Sequence, residues 1–353
     1  MFHEKLRIKL NKKGTLFLNM DIMILLASLV VILLGAEAFT NSLEHFGERL
    51  GISEGVTGSV FAAIGTALPE TMVPLFAILL GSGSETLRHE VGVGAILGAP
   101  LMLVTLAFFL MGYFAARTRG WQGILTPEPT GFARDLLWFN WAFCLGVIAT
   151  FVPHEWVGVR PAIGVVLVGL YVVYLYQTIR SSPDLVDGGH GTEADHPLFL
   201  TKIGFPDNLL MILFQLGFGL GLIVLGAKGF VHGIEHLAPL WGVSALTLSL
   251  LIIPIATELP EKVNSIIWIR RGRDTLAVGN ISGAMVFQGS LLPALGIMLT
   301  AWIPQREILM GMAMTLVAAT YLTWVVRKGT VTPIHLVING LCYVVFVVSV
   351  LFW

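Results

Sequence analysis

The sequence predicts an all-α membrane protein of ten transmembrane helices, arranged as two inverted repeats of five. Three observations carry that expectation. Of 353 residues, 56% are hydrophobic and only 12% charged, with a mean hydropathy of +0.83; a soluble domain carries about twice that charge fraction. The apolar residues gather in continuous runs, most reaching the ~20 residues that cross a bilayer as a helix, and not in the short alternating segments of a barrel. The first half of the chain also returns in the second.

Taken in order, residues 1–18 are a basic leader, with five Lys/Arg, able to lie at a membrane interface. The run that follows lacks a clear small-x-small cleavage site and continues into patterned sequence, so it reads as a retained span and not a signal peptide. The first repeat covers 19–180, with spans near 19–46, 54–80, 89–113, 132–152 and 158–180. A polar loop, 181–205, separates it from the second repeat, 206–353, with spans near 206–236, 244–270, 274–300, 307–327 and 332–352. The loop's Asp184, Asp187, His190, Glu193, Asp195 and His196 match no ion-binding spacing, and three glycines loosen it, so it reads as a solvated linker. Cys144 and Cys342 each lie in an apolar run; the expectation is two buried small residues, with no disulfide framework or thiolate metal site. Trp138, Trp141, Trp268 and Trp353 mark membrane interfaces. Lys and Arg are distributed ambiguously: discounting the leader, Arg117, Arg119, Arg270, Arg271 and Arg273 place the N-terminus outside. No basic stripe or nucleic-acid motif is present.

The repeat is exact enough to align without a gap. At a constant offset, Leu34, Gly35, Ala36, Phe39, Glu44, His45, Gly51 and Ser53 fall on Leu225, Gly226, Ala227, Phe230, Glu235, His236, Gly242 and Ser244. The same offset places Thr66-x-Leu68-Pro69-Glu70 on Thr257-x-Leu259-Pro260-Glu261. Further on, the glycines Gly94 and Gly279 correspond, with extra residues in the first-half turn GSGSETLRHE. Two tandem copies with an odd number of spans enter the membrane in opposite directions, which gives a pseudo-two-fold axis in its plane.

The chemistry concentrates in the second span of each copy, at GTALPE (65–70) and ATELPE (256–261). Pro69 and Pro260 have no N–H, so the carbonyls of Gly65 and Ala256 lose their helical partners, and Pro254 adds a further break. Freed carbonyls at membrane depth need satisfaction, and a cation provides it. Glu70 and Glu261 sit near mid-span, where a carboxylate costs roughly 3 kcal/mol on insertion scales. A buried pair that only holds helices together is the plainer reading, but the same residue recurs at the same place in both halves. Two carboxylates, the hydroxyls of Thr66 and Thr257 and freed carbonyls form an all-oxygen set that suits Ca²⁺ or Na⁺.

The doubled x-T-x-L-P-E motif, preceded by LGA…G[IV]S and followed by G-x-x-x-G, resembles the alpha repeats of the sodium/calcium exchangers, within the cation/calcium antiporter superfamily. The resemblance implies that Glu70 and Glu261 are the central ion ligands, with Thr66 and Thr257 beside them. The chain departs from the usual pattern. Ala67 and Glu258 replace the serine of GTSLPE, and Ala99 and Ala284 replace serines of the later motif. Asn280, Ala284 and Gln288 share one helical face in the second half. The matching first-half face, Ala95, Ala99 and Leu103, is apolar. The acidic centre is kept and flanking oxygens are lost, which puts Na⁺ coupling and its stoichiometry in question.

Glu258 admits three readings: neutralised by Lys262 four residues later, paired with a Lys262 that replaces one transported ion, or sharing a proton with Glu261. Ser265 continues this polar surface. The Glu44–His45 and Glu235–His236 pairs fall at span ends and read as interfacial or helix-end partners. The expected function is alternating-access antiport of Ca²⁺ or a similar hard cation against Na⁺ or H⁺. The expected ligands are Glu70, Glu261, Thr66, Thr257, Glu258, Asn280, Gln288 and Ser265. The expected partners are inorganic cations and a lipid bilayer, in the cell (inner) membrane, with no cofactor. The alternatives are a Na⁺/H⁺ or other proton-coupled exchanger without Ca²⁺ transport, and a non-transporting ion-binding membrane protein. No HExxH or aspartyl dyad supports an enzyme.

Overall fold

The computed structural model describes residues 12–49, 68–81, 84–153, 155–180, 196–241 and 243–352. Among them the fold is all-helical, with one isolated antiparallel bridge joining Leu125 to Val331. The helices are α1 (Lys12–Arg49), α2 (Leu68–Leu80), α3 (Glu85–Met102), α4 (Phe108–Arg119), α5 (Pro129–Thr150), α6 (Val159–Arg180), α7 (Leu209–Trp241), α8 (Ala245–Thr257), α9 (Leu259–Arg270), α10 (Asp274–Leu299), α11 (Arg306–Arg327) and α12 (Pro333–Phe352). A π turn, Leu103–Ala107, joins α3 to α4, making one span of Glu85–Arg119. Among the described residues eight helices are long and apolar enough to cross a membrane; Glu70–Leu80 and Ala245–Ile255 are shorter apolar helices.

The predicted span 244–270 is not one helix. It divides at Glu258 into α8 and α9, because the prolines at 254 and 260 remove two ladder donors within a few residues.

Helices α3 and α10 are the most enclosed and form the centre of the bundle. Glycine decides how closely α3 approaches α8. A Cβ at Gly94 would lie 2.8 Å from the Leu246 oxygen, and one at Gly98 would lie 2.5 Å from the Leu250 oxygen. The two glycines are four residues apart and present one backbone-to-backbone face, a GxxxG crossing. The π turn that follows Pro100 leaves the Val104 carbonyl to an outside donor, and the buried Asn339 amide of α12 supplies it at 2.7 Å.

Helix α1 makes its most extensive contact with α7. There Gly226 sits against the Ser28 carbonyl, Gly219 against Phe39 and Gly233 against Leu25. A seven-residue spacing puts these three glycines on one stripe. The outer surfaces of the pair are apolar, with Met23, Leu26 and Leu34 of α1 and Leu210, Phe214 and Leu225 of α7 exposed. The cysteines correct an expectation: Cys144 is exposed and Cys342 only half-buried. In a membrane-crossing bundle an apolar run is apolar all round, so run membership does not report burial.

The described end of the inter-repeat loop, 196–205, is not simply solvated. Leu198 is buried, Phe199–Ile203 forms a 3₁₀ turn, and α1 and α7 clasp the segment. Asn41 donates to the His196 carbonyl at 3.2 Å and accepts from the Phe199 amide at 3.1 Å. Gln215 accepts from the Leu200 amide and donates to Asn41. His45 also meets the His196 carbonyl, at 3.0 Å, so it is the helix-end partner the sequence suggested. Residues 181–195 and the Glu44 and Glu235 side chains lie outside the described residues. At the start of α10, buried Asp274 takes a bidentate pair from Arg119 at 2.6 and 2.7 Å, which ties α4 to α10.

Candidate cation site

The site is built where α8 stops and α9 begins. Pro254 lies inside α8 and leaves the Leu250 carbonyl without its ladder donor; that oxygen faces Gly98 of α3. The Glu258 amide then reaches the Pro254 oxygen over a long 3.3 Å, and Glu258 leaves the helical region at φ −95°, ψ 13°. Pro260 opens α9, a position where a missing N–H costs nothing. Glu261 therefore stands in the first turn of α9, and Glu70 in the first described turn of α2. A helix N-terminus favours a carboxylate in its first turn.

Glu70, Glu258, Glu261 and Lys262 are all at least nine-tenths buried, at 3%, 0%, 2% and 5% exposure. They form one electrostatic group: Glu70 senses the charges of Glu261, Glu258 and Lys262. Among the described residues, neither Glu70 oxygen has a hydrogen-bond partner from the side chain or backbone of another residue. Two carboxylates from separate halves, buried within electrostatic reach of each other, are an unfavourable arrangement without a compensating charge.

The flanking residues surround this group. Gln288 of α10 lies against the Glu258 carboxylate, with its own Oε1 buried and unpartnered. Asn280 donates to the Glu261 carbonyl at 3.2 Å and to Ser265 Oγ at 3.0 Å, bracing α9 against α10. Thr257 donates its hydroxyl to the Ile253 carbonyl at 3.2 Å, which keeps its oxygen free to accept. Thr66 lies outside the described residues. The apolar first-half face behaves as packing: Ala95, Ala99 and Leu103 are all buried. Among the described residues no three His, Cys, Asp or Glu side chains converge as a preformed metal cage.

Lys262 pairs with Glu258 at 3.5 Å, as the four-residue spacing suggested. Its ammonium also donates to the Pro254 carbonyl at 2.9 Å and lies 3.0 Å from Met102 Sδ of α3. No sequence signal pointed to Met102. A further buried carboxylate was also missed. Asp135 of α5 accepts from Ser282 of α10 at 2.7 Å and from Tyr174 of α6 at 3.1 Å, with Arg134 Nε 3.7 Å away. An acid inside the run 132–152 was the available signal, since ionisable groups in spans are rare without a task.

Comparison with known proteins bears on this geometry. A family model described as sodium/calcium exchanger protein matches residues 20–180 and 211–352. The inner membrane protein YrbG of Escherichia coli is 26% identical over 75% of this chain and 75% of its own. The sodium/calcium exchanger MaX1 of Methanosarcina acetivorans is 22% identical over 76% of this chain and 80% of its own. Among solved structures, the H⁺/Ca²⁺ exchanger CAX superposes with a TM-score of 0.72 at 16% identity, covering 94% of this chain and 82% of that one. At that identity the likeness is one of fold.

Proposed function

We propose that this chain, which belongs to the sodium/calcium exchanger family, exchanges Ca²⁺ or a similar hard cation for Na⁺ or H⁺ by alternating access. It is a multi-pass membrane transporter and not an enzyme. The observation that carries the finer reading is the burial of Glu70 and Glu261 in one electrostatic group, with no described residue hydrogen-bonded to the Glu70 carboxylate. A dehydrated cation supplies the missing charge and meets the oxygens of Thr257 and Gln288, while Asn280 and Ser265 hold α9 in place. Ten spans in two inverted repeats fit the two stretches that the family model matches. Among the described residues, the glycine-lined α1–α7 pair is in fuller contact with itself than with the rest of the bundle, which suits a unit that slides across the core.

The test is ⁴⁵Ca²⁺ and ²²Na⁺ flux in proteoliposomes under imposed Na⁺ or H⁺ gradients. Wild type moves Ca²⁺ against one of them, and Glu70→Gln and Glu261→Gln each reduce flux to the level of empty liposomes. Gradient-independent behaviour, with no cation moved by wild type, refutes the proposal. Na⁺ flux that ignores Ca²⁺ selects the exchanger without Ca²⁺ transport.

A further inference from the structure

We propose that Lys262 is a tethered cation that fills the place of one coupling ion and sets the exchange at two monovalent ions per divalent ion, with no net charge moved. The inference rests on the cation-antiport reading above and concerns its stoichiometry.

The ammonium of Lys262 is held as a bound ion would be. It takes a carbonyl oxygen of Pro254, a carboxylate oxygen of Glu258 and the thioether of Met102. The carbonyl belongs to the segment that prolines 254 and 260 break, where the Glu258 amide is only distantly engaged. Its carbonyl and carboxylate oxygens are ligand types a hard cation would use. The side chain is buried and spans from α9 to α3, so the charge cannot leave with the cargo.

The charge inventory follows. Among the described residues, Glu70, Glu258, Glu261 and Lys262 are the buried ionisable groups of this region, with Lys262 paired to Glu258 and Glu70 within reach of the other three. With all three carboxylates ionised around bound cations, three carboxylates and one ammonium leave two negative charges. One divalent cation neutralises them, and so do two monovalent cations. A loaded carrier of either kind is then neutral, which is the form that crosses low dielectric most easily. A third monovalent ion would leave an uncompensated charge in the same place. Replacing Lys262 with a neutral residue raises the deficit to three, and replacing Glu258 while keeping Lys262 lowers it to one. The two variants therefore shift coupling in opposite directions.

The experiment measures the steady Ca²⁺ accumulation ratio in proteoliposomes, at a fixed Na⁺ or H⁺ gradient, with membrane potential clamped by K⁺ and valinomycin. Wild type should give the same ratio at every potential. Transfer of one net charge per cycle would change the ratio tenfold per 59 mV, and that result in wild type overturns the proposal while leaving antiport intact. Absence of any Ca²⁺ flux in wild type overturns both. Lys262→Met should acquire a potential dependence of one charge moving against Ca²⁺. Glu258→Gln should acquire the opposite sign, one charge moving with Ca²⁺. Because Lys262→Met leaves Glu258 buried without its partner and risks misfolding, the double variant Glu258→Gln with Lys262→Met, which keeps two negative charges, should transport with no potential dependence. A potential-dependent double variant, or either single variant transporting with wild-type potential independence, also overturns the proposal.

Discussion

The crossing of α3 over α8 makes a quantitative prediction at Gly98. An alanine Cβ there would sit 2.5 Å from the Leu250 carbonyl oxygen and 2.7 Å from Pro254 Cγ. A comfortable C···O approach is about 3.3 Å, so α3 must withdraw by roughly 0.8 Å. The neighbours are backbone and a proline ring, neither of which can rotate away. Overpacking of this kind costs about 1–3 kcal/mol. The displaced residues include Pro254, whose carbonyl holds Lys262, and α3 carries Met102. A displacement near 1 Å at a reacting or binding constellation can cost on the order of 100-fold, so cation flux should fall by ten- to a hundredfold in Gly98→Ala. Gly279, which the repeat places opposite Gly94, has nothing within 4 Å of its Cβ, and Gly279→Ala serves as the neutral control. The assay is detergent thermostability together with proteoliposome flux. Wild-type stability and flux in Gly98→Ala would refute the account of a backbone-limited crossing, as would equal loss in the two alanine variants.

Three further outcomes are expected. Asp135→Ala leaves the hydroxyls of Ser282 and Tyr174 without their buried acceptor, at about 1–3 kcal/mol for each unsatisfied group; Tyr174→Phe should cost less in the same thermal assay, and equal losses would contradict the assignment. Arg119→Ala strands the Asp274 carboxylate, a loss of about 3–5 kcal/mol for a fully buried pair and nearer the lower figure here because Arg119 is partly exposed. The double variant Arg119→Met with Asp274→Leu should be milder, which a double-mutant cycle measures. Outside the spans, desolvation works to raise the Glu128 carboxyl, but hydrogen bonds from the Thr130 hydroxyl and the Gly131 and Thr130 amides outweigh it and hold the group below 4.5. A lowered folded value means that this cap stabilises fully above the unfolded value and is lost as pH falls through the lower folded one. The stability gap between wild type and Glu128→Gln should therefore shrink as pH drops below 4.5; a gap constant with pH would count against it.

Much of the site was legible before any coordinates. Glu70 and Glu261 stood out because an acid recurring at one offset in two apolar spans is not accidental, and Pro254 and Pro260 announced a broken helix. The Glu258–Lys262 pair followed from four-residue spacing on one helix face. Residues whose importance comes from another helix were silent. Met102 reads as an ordinary apolar residue until α3 crosses α8, and Asn339 as an ordinary polar one until the π turn exposes Val104. Asp135 carried a signal, its charge, but its partners Tyr174 and Ser282 lie on other helices.

The sequence by itself determined the all-helical, membrane-crossing character and the internal duplication, and it singled out Glu70 and Glu261 as candidate central acids. Those properties are local or periodic: hydropathy runs set the spans, and a repeat is visible wherever residues match at one offset. Tertiary structure alone decided which apolar faces turn outward, as at Cys144, which loop end is clasped, as at His196–Phe199, and what Lys262 touches. These depend on the distance and direction between helices, and in an almost uniformly apolar chain the pattern of hydrophobicity no longer encodes which side faces in.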